Sequence, residues 1–210
     1  DCLPFDRLSP QGALVGRRIE TLARICAGEA PSILLTTINA IVQKLPPADY
    51  LTDSSLVISP ASAHSPASLA EFLSNHSYLR TDTVRETGEF AIRGGIVDVF
   101  PPGHSDPVRL DFFGDEIETM RVFDAASQRS TGRLDRLVLR PVAEFMLTEA
   151  NISRFRTGYL KAFGGNASRD ALYESVSAGR MHPGIEHWLP LFHDHLATLA
   201  DYCPGWPLFL

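Results

Sequence analysis

No stretch of this 210-residue chain approaches the eighteen or so unbroken apolar residues that a membrane-spanning helix needs. Cysteine is scarce. Cys2, Cys26 and Cys203 are odd in number and far apart, which fits reduced thiols rather than a disulfide framework. The opening DCLPFDRLSP lacks the basic start and apolar core of a signal peptide, so we expect a cytoplasmic protein. There is no GxxxxGK[ST] phosphate loop and no GxGxxG, which leaves nucleotide binding by this stretch unsupported. Without a G-x-S-x-G elbow, no hydrolase triad can be read from the serines, histidines and aspartates present. Internal repeats and low-complexity tracts are also absent. Clustered positive charge is missing too: the net charge is −6, and residues 58–139 hold eight basic against twelve acidic side chains. That middle region is a poor holder of nucleic acid, which is bound through clustered cations, and a better candidate for a protein partner.

What the chain does contain divides into three stretches. Through about residue 57, RRIETLARICAG places Ile19, Leu22, Ala23 and Ile25 or Cys26 at helical spacing, with Gly28 as a stop. Ile33, Leu34 and Leu35 form a short apolar run suited to a buried parallel strand, followed by a helix over Asn39 to Leu45 that Pro46 and Pro47 end. This is the pattern of a strand-helix piece of a parallel α/β sheet. The Ser-, Ala- and Pro-rich segment 54–66 marks a boundary.

Residues 58–139 then read as a helix followed by hairpins. The helix is SPASLAEFLSNHSY, capped at Ser65 or Ser68 with Pro66 in its first turn and Leu69, Phe72 and Leu73 on one face. FAIR and GIVDVF are strands joined at Gly94-Gly95, either as a two-residue turn or as a bulge. VRLDFF and EIETMRVFD make a second hairpin, with Val108, Leu110 and Phe112 facing one way and Arg109 and Asp111 the other. Beyond Arg140-Pro141, residues 140–210 predict helices over 149–163 and DALYESVSAGR, and PLFL at the end predicts the start of a strand.

Several constellations invite a chemical reading. Asp111, Asp115, Glu116 and Glu118 carry enough carboxylates for a hard cation, yet adjacent strand residues point to opposite faces, so a solvated hairpin tip is the simpler reading. His187, His193 and His195 near Cys203 have donors for zinc in no recognised spacing, within a packing segment. FGGNASRD reads as an interhelical turn. Arg80 and Arg93 are different, because each is embedded among strand-forming or aromatic neighbours, in YLRTD and FAIRGG. A planar fork there suits recognition of a carboxylate or an interface anchor, and equally a salt bridge to Glu89, Asp82 or Asp98.

The run YLRTDTVRETGEFAIRGGIVDVFPPG, followed by PVRLDFFGDEIETMRVFDAASQRS, resembles the UvrA-binding domain of the nucleotide-excision-repair protein UvrB. It is similar, more closely, to the corresponding region of the bacterial transcription-repair coupling factors. LPFDRLSP, RRIETLARI and GIEHWLPLFHDHLATLADYCP extend the resemblance to the coupling factors over nearly the whole chain, and Ala91 stands where UvrB carries a second arginine.

The resemblance implies a mixed α/β fold. Residues 1–57 and 140–210 would be parts of a degenerate helicase-like parallel α/β domain, and 58–139 an inserted α+β domain, built on antiparallel hairpins, that binds UvrA. It implies that Arg80 and Arg93 contact UvrA; Phe90 and Phe100 either support that contact or, as the simpler use, pack in the core. It further implies a recruiting role with no catalysis and no cofactor in this stretch. ATP, Mg, DNA and RNA polymerase would be engaged by other parts of the parent translocase. A chain that starts mid-domain and ends on an unfinished strand is expected to be a fragment. A piece of UvrB, and a metal-dependent hydrolase using the acidic hairpin, are the alternatives.

Overall fold

The computed structural model describes residues 9–29 and 33–207. The chain divides into two compact units. The first is drawn from the described residues within 1–10, 21–53 and 144–210, the second from Gln11–Glu20 and Ser54–Ala143.

The second unit is built on a six-stranded sheet whose main core lies on one face. Helix α1 (Gly12–Cys26) contributes its opening turns to this unit. Gly16 there lies so close to Pro102 that an added Cβ would approach the proline Cβ at 2.9 Å, and Glu20 pairs with Arg140. Two short helices, α2 (Ile38–Ile41) and α3 (Ala48–Asp53), belong to the first unit and precede strand β1 (Leu56–Ile58). Helix α4 (Pro66–Asn75) begins as expected, with the Ser65 hydroxyl accepting the Ser68 N–H and Pro66 in the first turn. Strands β2 (Leu79–Arg80), β3 (Glu89–Arg93), β4 (Ile96–Val99), β5 (Val108–Phe113), β6 (Glu116–Phe123) and β7 (Ser130–Arg133) form one sheet in chain order. All pairs are antiparallel except β2 with β3. Strand β8 (Leu137–Leu139) returns to pair with β1 as a separate ribbon.

Cross-strand partners share a face, so the register defines two faces. Phe90, Val99 and Val108 lie in one row and Ile92, Val97, Leu110 and Met120 in the next. These residues pack with Leu69 and Leu73 of α4 and with Ile58, Leu137 and Leu139 of the ribbon into one core. Helix and ribbon thus cover a single side of the sheet.

His76 ends α4 inside this unit. Its ring Nδ1 hydrogen-bonds the Phe72 carbonyl oxygen at 2.7 Å, and the ring stacks on Phe72 with centroids 3.9 Å apart. Burial pushes its pKa down, outweighing the carbonyl bond that acts the other way. Because the folded-state pKa lies below the ordinary value of about 6.5, acid protonates the unfolded chain first. The contribution to stability is complete above that value and drains as pH falls through the folded-state pKa. An NMR titration of the His76 ring should give a midpoint below about 6.5, and urea unfolding should be easier at about pH 5.5 than at about pH 7.5.

In the first unit, α5 (Glu149–Phe163) matches its expected span, opened by Thr148 accepting the Asn151 N–H. Its Phe155 and Tyr159 face an aromatic cluster with Phe145, Tyr173, Trp188 and Phe192. A 3₁₀ turn over Gly165–Arg169 occupies the FGGNASRD segment. It leads into α6 (Ala171–Ser177), a second 3₁₀ stretch at Ile185–Leu191 and α7 (Leu199–Tyr202).

Two expectations here need correction. Residues 33–35 are not a strand: Ile33 is 75% and Leu35 89% exposed. An all-apolar strand needs flanking strands to satisfy its backbone and cover its faces, and among the described residues none pairs with this run. The following helix, expected over Asn39 to Leu45, is a single turn capped by Thr37, and Leu45 instead makes an isolated antiparallel bridge to Ala197. The terminal strand expected at PLFL lies almost wholly outside the described residues. No described helix is long and apolar enough to cross a membrane.

Candidate protein-docking face

The side of the sheet away from helix and ribbon carries the charge, beside a small buried cluster of Val84, Ala91, Phe100 and Phe123. In one row, Ala91, Asp98, Arg109, Arg121 and Arg133 follow one another across five strands; in the next come Arg93, Ile96, Asp111 and Thr119. Every cation on this face is an arginine. The whole chain has only two lysines, Lys44 and Lys161, neither of them in the second unit.

Asp98 organises the upper part of this face. It is 1% exposed, and a carboxylate this deep must be paired to remain charged. Arg109 grips it bidentately, Nε to Oδ1 at 2.7 Å and Nη2 to Oδ2 at 2.9 Å. The Arg109 guanidinium lies 4.6 Å above the Phe123 ring and extends Nη1 toward the Gln128 carbonyl at 3.5 Å. Its pKa is raised above the ordinary arginine value chiefly by the hydrogen bonds to Asp98. Arg93 Nη2 donates to Oδ2 of the same carboxylate, the oxygen that also accepts from Arg109 Nη2. Alongside, Asp111 accepts from Thr119 Oγ1 at 2.7 Å and from Arg121 Nη2 at 2.7 Å.

Gly94-Gly95 is a two-residue hairpin turn, since Arg93 and Ile96 are directly paired. Gly94 takes the left-handed φ of +61°, which favours glycine. Gly95 lies against the end of β5: its carbonyl accepts the Phe112 N–H at 2.8 Å, and a Cβ there would meet the Phe112 oxygen at 3.1 Å. The two hairpin tips therefore sit side by side. Phe112 packs toward the core, so by strand alternation Phe113 falls on the charged face, where it is 81% exposed.

The four residues singled out from sequence are placed differently from one another. Arg93 stands on the charged face, half exposed, and is both salt-bridged and accessible. Arg80 is exposed on the edge strand with no ion pair among the described residues, but it pairs in register with Phe90 and so belongs to the opposite face. Phe90, 1% exposed, is in the main core, and Phe100, 9% exposed, packs with Val84, Ala91 and Phe123. Support from these two phenylalanines for a partner is corrected accordingly: their rings are spent on internal packing.

Two residues that geometry adds are Arg109 and Phe113. A signal for Phe113 was present, because consecutive phenylalanines on an alternating strand cannot both face the core. Among the described residues no group of three His, Cys, Asp or Glu side chains converges to hold a metal. Asp111 is engaged by Arg121 and Thr119, and His193 Nε2 is bonded to the Glu144 carbonyl oxygen at 2.7 Å.

Residues 56–145 match the UvrB interaction domain family. Along nearly its full length the chain is similar to transcription-repair-coupling factors. It is 36% identical to that of Rickettsia typhi over 202 residues, which is 96% of this chain and 18% of the relative. It is 35% identical to that of Escherichia coli over 206 residues, 98% of this chain and 18% of the relative. With that of Haemophilus influenzae the identity is 34% over 212 residues, 100% of this chain and 18% of the relative. The chain thus spans under a fifth of the length of these relatives. Residues 56–145 thus match the UvrB interaction domain family, within a chain that is similar along nearly its full length to part of the transcription-repair-coupling factors.

Proposed function

We propose that the second unit docks UvrA, and that this chain is the recruiting segment of a cytoplasmic transcription-repair coupling factor that links stalled RNA polymerase to nucleotide excision repair. The observation that carries the reading is the Arg93–Asp98–Arg109 cluster beside the exposed Phe113, on the charged face of a unit whose residues match the UvrB interaction domain family. A forked cation with an apolar ring next to it is the composition of an interface hot spot. Arg93 and Phe113 are the outermost contacts and Arg109 lies behind them. Arg80, reached around the edge of the sheet, is a secondary contact.

DNA, RNA polymerase and an ATP-driven translocase motor belong to parts of the longer protein outside this segment, which itself recruits and does not catalyse. The relatives described are all coupling factors, which favours this reading over a piece of UvrB. Residues 58–139 form the inserted domain in this proposal, and the flanking stretches are parts of a helicase-like α/β domain.

Calorimetric titration of UvrA into the wild-type chain and into Arg93→Ala, Phe113→Ala and Arg80→Ala variants tests the docking reading. Arg93→Ala and Phe113→Ala should weaken binding more than Arg80→Ala does. Unchanged affinity in all three would reject it.

A further inference from the structure

We propose that Asp98 is a positioning residue for docking: a buried carboxylate that fixes Arg93 as a preset fork for a carboxylate on the partner. The inference rests on the docking reading above and adds the chemistry of recognition to it.

Asp98 cannot reach a partner itself, because its side chain is 1% exposed. Its hold on Arg109 is rigid. Arg109 is 16% exposed, bonded through Nε and Nη2, stacked over Phe123 and directed at the Gln128 carbonyl, so it has no alternative place to go. One guanidinium already neutralises one carboxylate. Arg93 therefore adds an uncompensated positive charge while remaining tied by Nη2 to Oδ2, and 45% of its side chain is open to solvent.

Among the described residues Arg93 makes no ion pair with another carboxylate of this face, Glu116 beside Phe113 included. Asp111 is committed to Arg121 and Thr119, and Glu89 accepts the backbone N–H groups of Arg85 and Glu86 at 2.7 and 2.9 Å. A long side chain loses much rotamer freedom when a partner immobilises it, and a guanidinium already held by a buried acid loses less. Its unused donors present a planar edge, which suits a carboxylate on the partner.

Titrations of UvrA against Asp98→Asn, Arg93→Ala and the double variant separate this role from a merely structural one. Each single change should weaken binding by about tenfold or more, and the double variant should match Arg93→Ala within about twofold, because Asp98 acts through Arg93. Full affinity in Asp98→Asn overturns the proposal. So does a loss of the same size in the Arg93→Ala background, which would place its action elsewhere. Circular dichroism reports whether Asp98→Asn is folded. If it is not, Arg93→Lys decides, because lysine keeps the charge without the fork: wild-type affinity overturns the proposal and a loss near that of Arg93→Ala supports it. Normal binding by Arg93→Ala, Phe113→Ala and Arg80→Ala together would reject the docking reading itself, whereas normal binding by Arg93→Ala alone, or a weakened Arg93→Ala with an unaffected Asp98→Asn, would reject only the Asp98-held fork.

Discussion

Replacing Arg93 by alanine is expected to weaken UvrA binding by about 2 kcal/mol or more, roughly thirtyfold. The size follows from where the guanidinium sits. It is half exposed, so it can be covered by a partner, and it is held by Asp98, so little ordering is left to be done on binding. Truncation removes the fork and leaves any carboxylate it meets on the partner desolvated and unpaired, which is the expensive part of the loss. Arg80→Ala should cost less. Three residues of β3 separate the level of Phe90, beside Arg80, from Arg93, about 10 Å at the rise of a strand, and the two arginines point to opposite faces. Isothermal calorimetry at fixed salt measures both. Equal losses in the two variants would show that the partner does not favour the charged face.

Phe90→Ala should be the more damaging change, but to folding. We expect it to destabilise the second unit by about 3–5 kcal/mol, the usual range for removing a buried phenylalanine ring from a packed core. Phe90 is 1% exposed, within the core that joins the sheet to α4 and the β1–β8 ribbon. Its loss would empty the centre of that core. Urea unfolding followed by circular dichroism measures the effect. Under conditions where the variant is still folded, its affinity for UvrA should remain close to wild type, and a strong binding defect in folded protein would restore Phe90 as a contact.

Much of the second unit is legible in the sequence because its signals are local. Ser65 and Pro66 set the start of α4, a glycine pair sets the β3–β4 turn, and alternation in VRLDFF sorts Leu110 from Arg109. Arg93 stands out for the same reason, as a charge at the shoulder of an apolar hairpin. The failures come from information that no short stretch holds. The run at Ile33–Leu35 has a strand's composition, but a parallel strand depends on neighbours distant in sequence. Core packing is the simpler reading of Phe90 and Phe100, but which face each ring serves emerges only from the register. Arg80 and Arg93 share a sequence context and still lie on opposite faces, because a two-residue edge strand sets its own phase only through pairing with β3. The Arg109–Asp98 grip links residues eleven positions apart on neighbouring strands, visible once β4 and β5 are aligned.

Hydrogen exchange of this chain with and without UvrA tests the central claim most directly, since it asks at once whether the partner binds and where. The account predicts added protection at the two adjoining hairpin tips, over residues 93–97 and 112–117, with α4 on the covered face and α5 and α6 of the first unit unchanged. Protection centred on those helices, or no added protection anywhere at saturating UvrA, would contradict it.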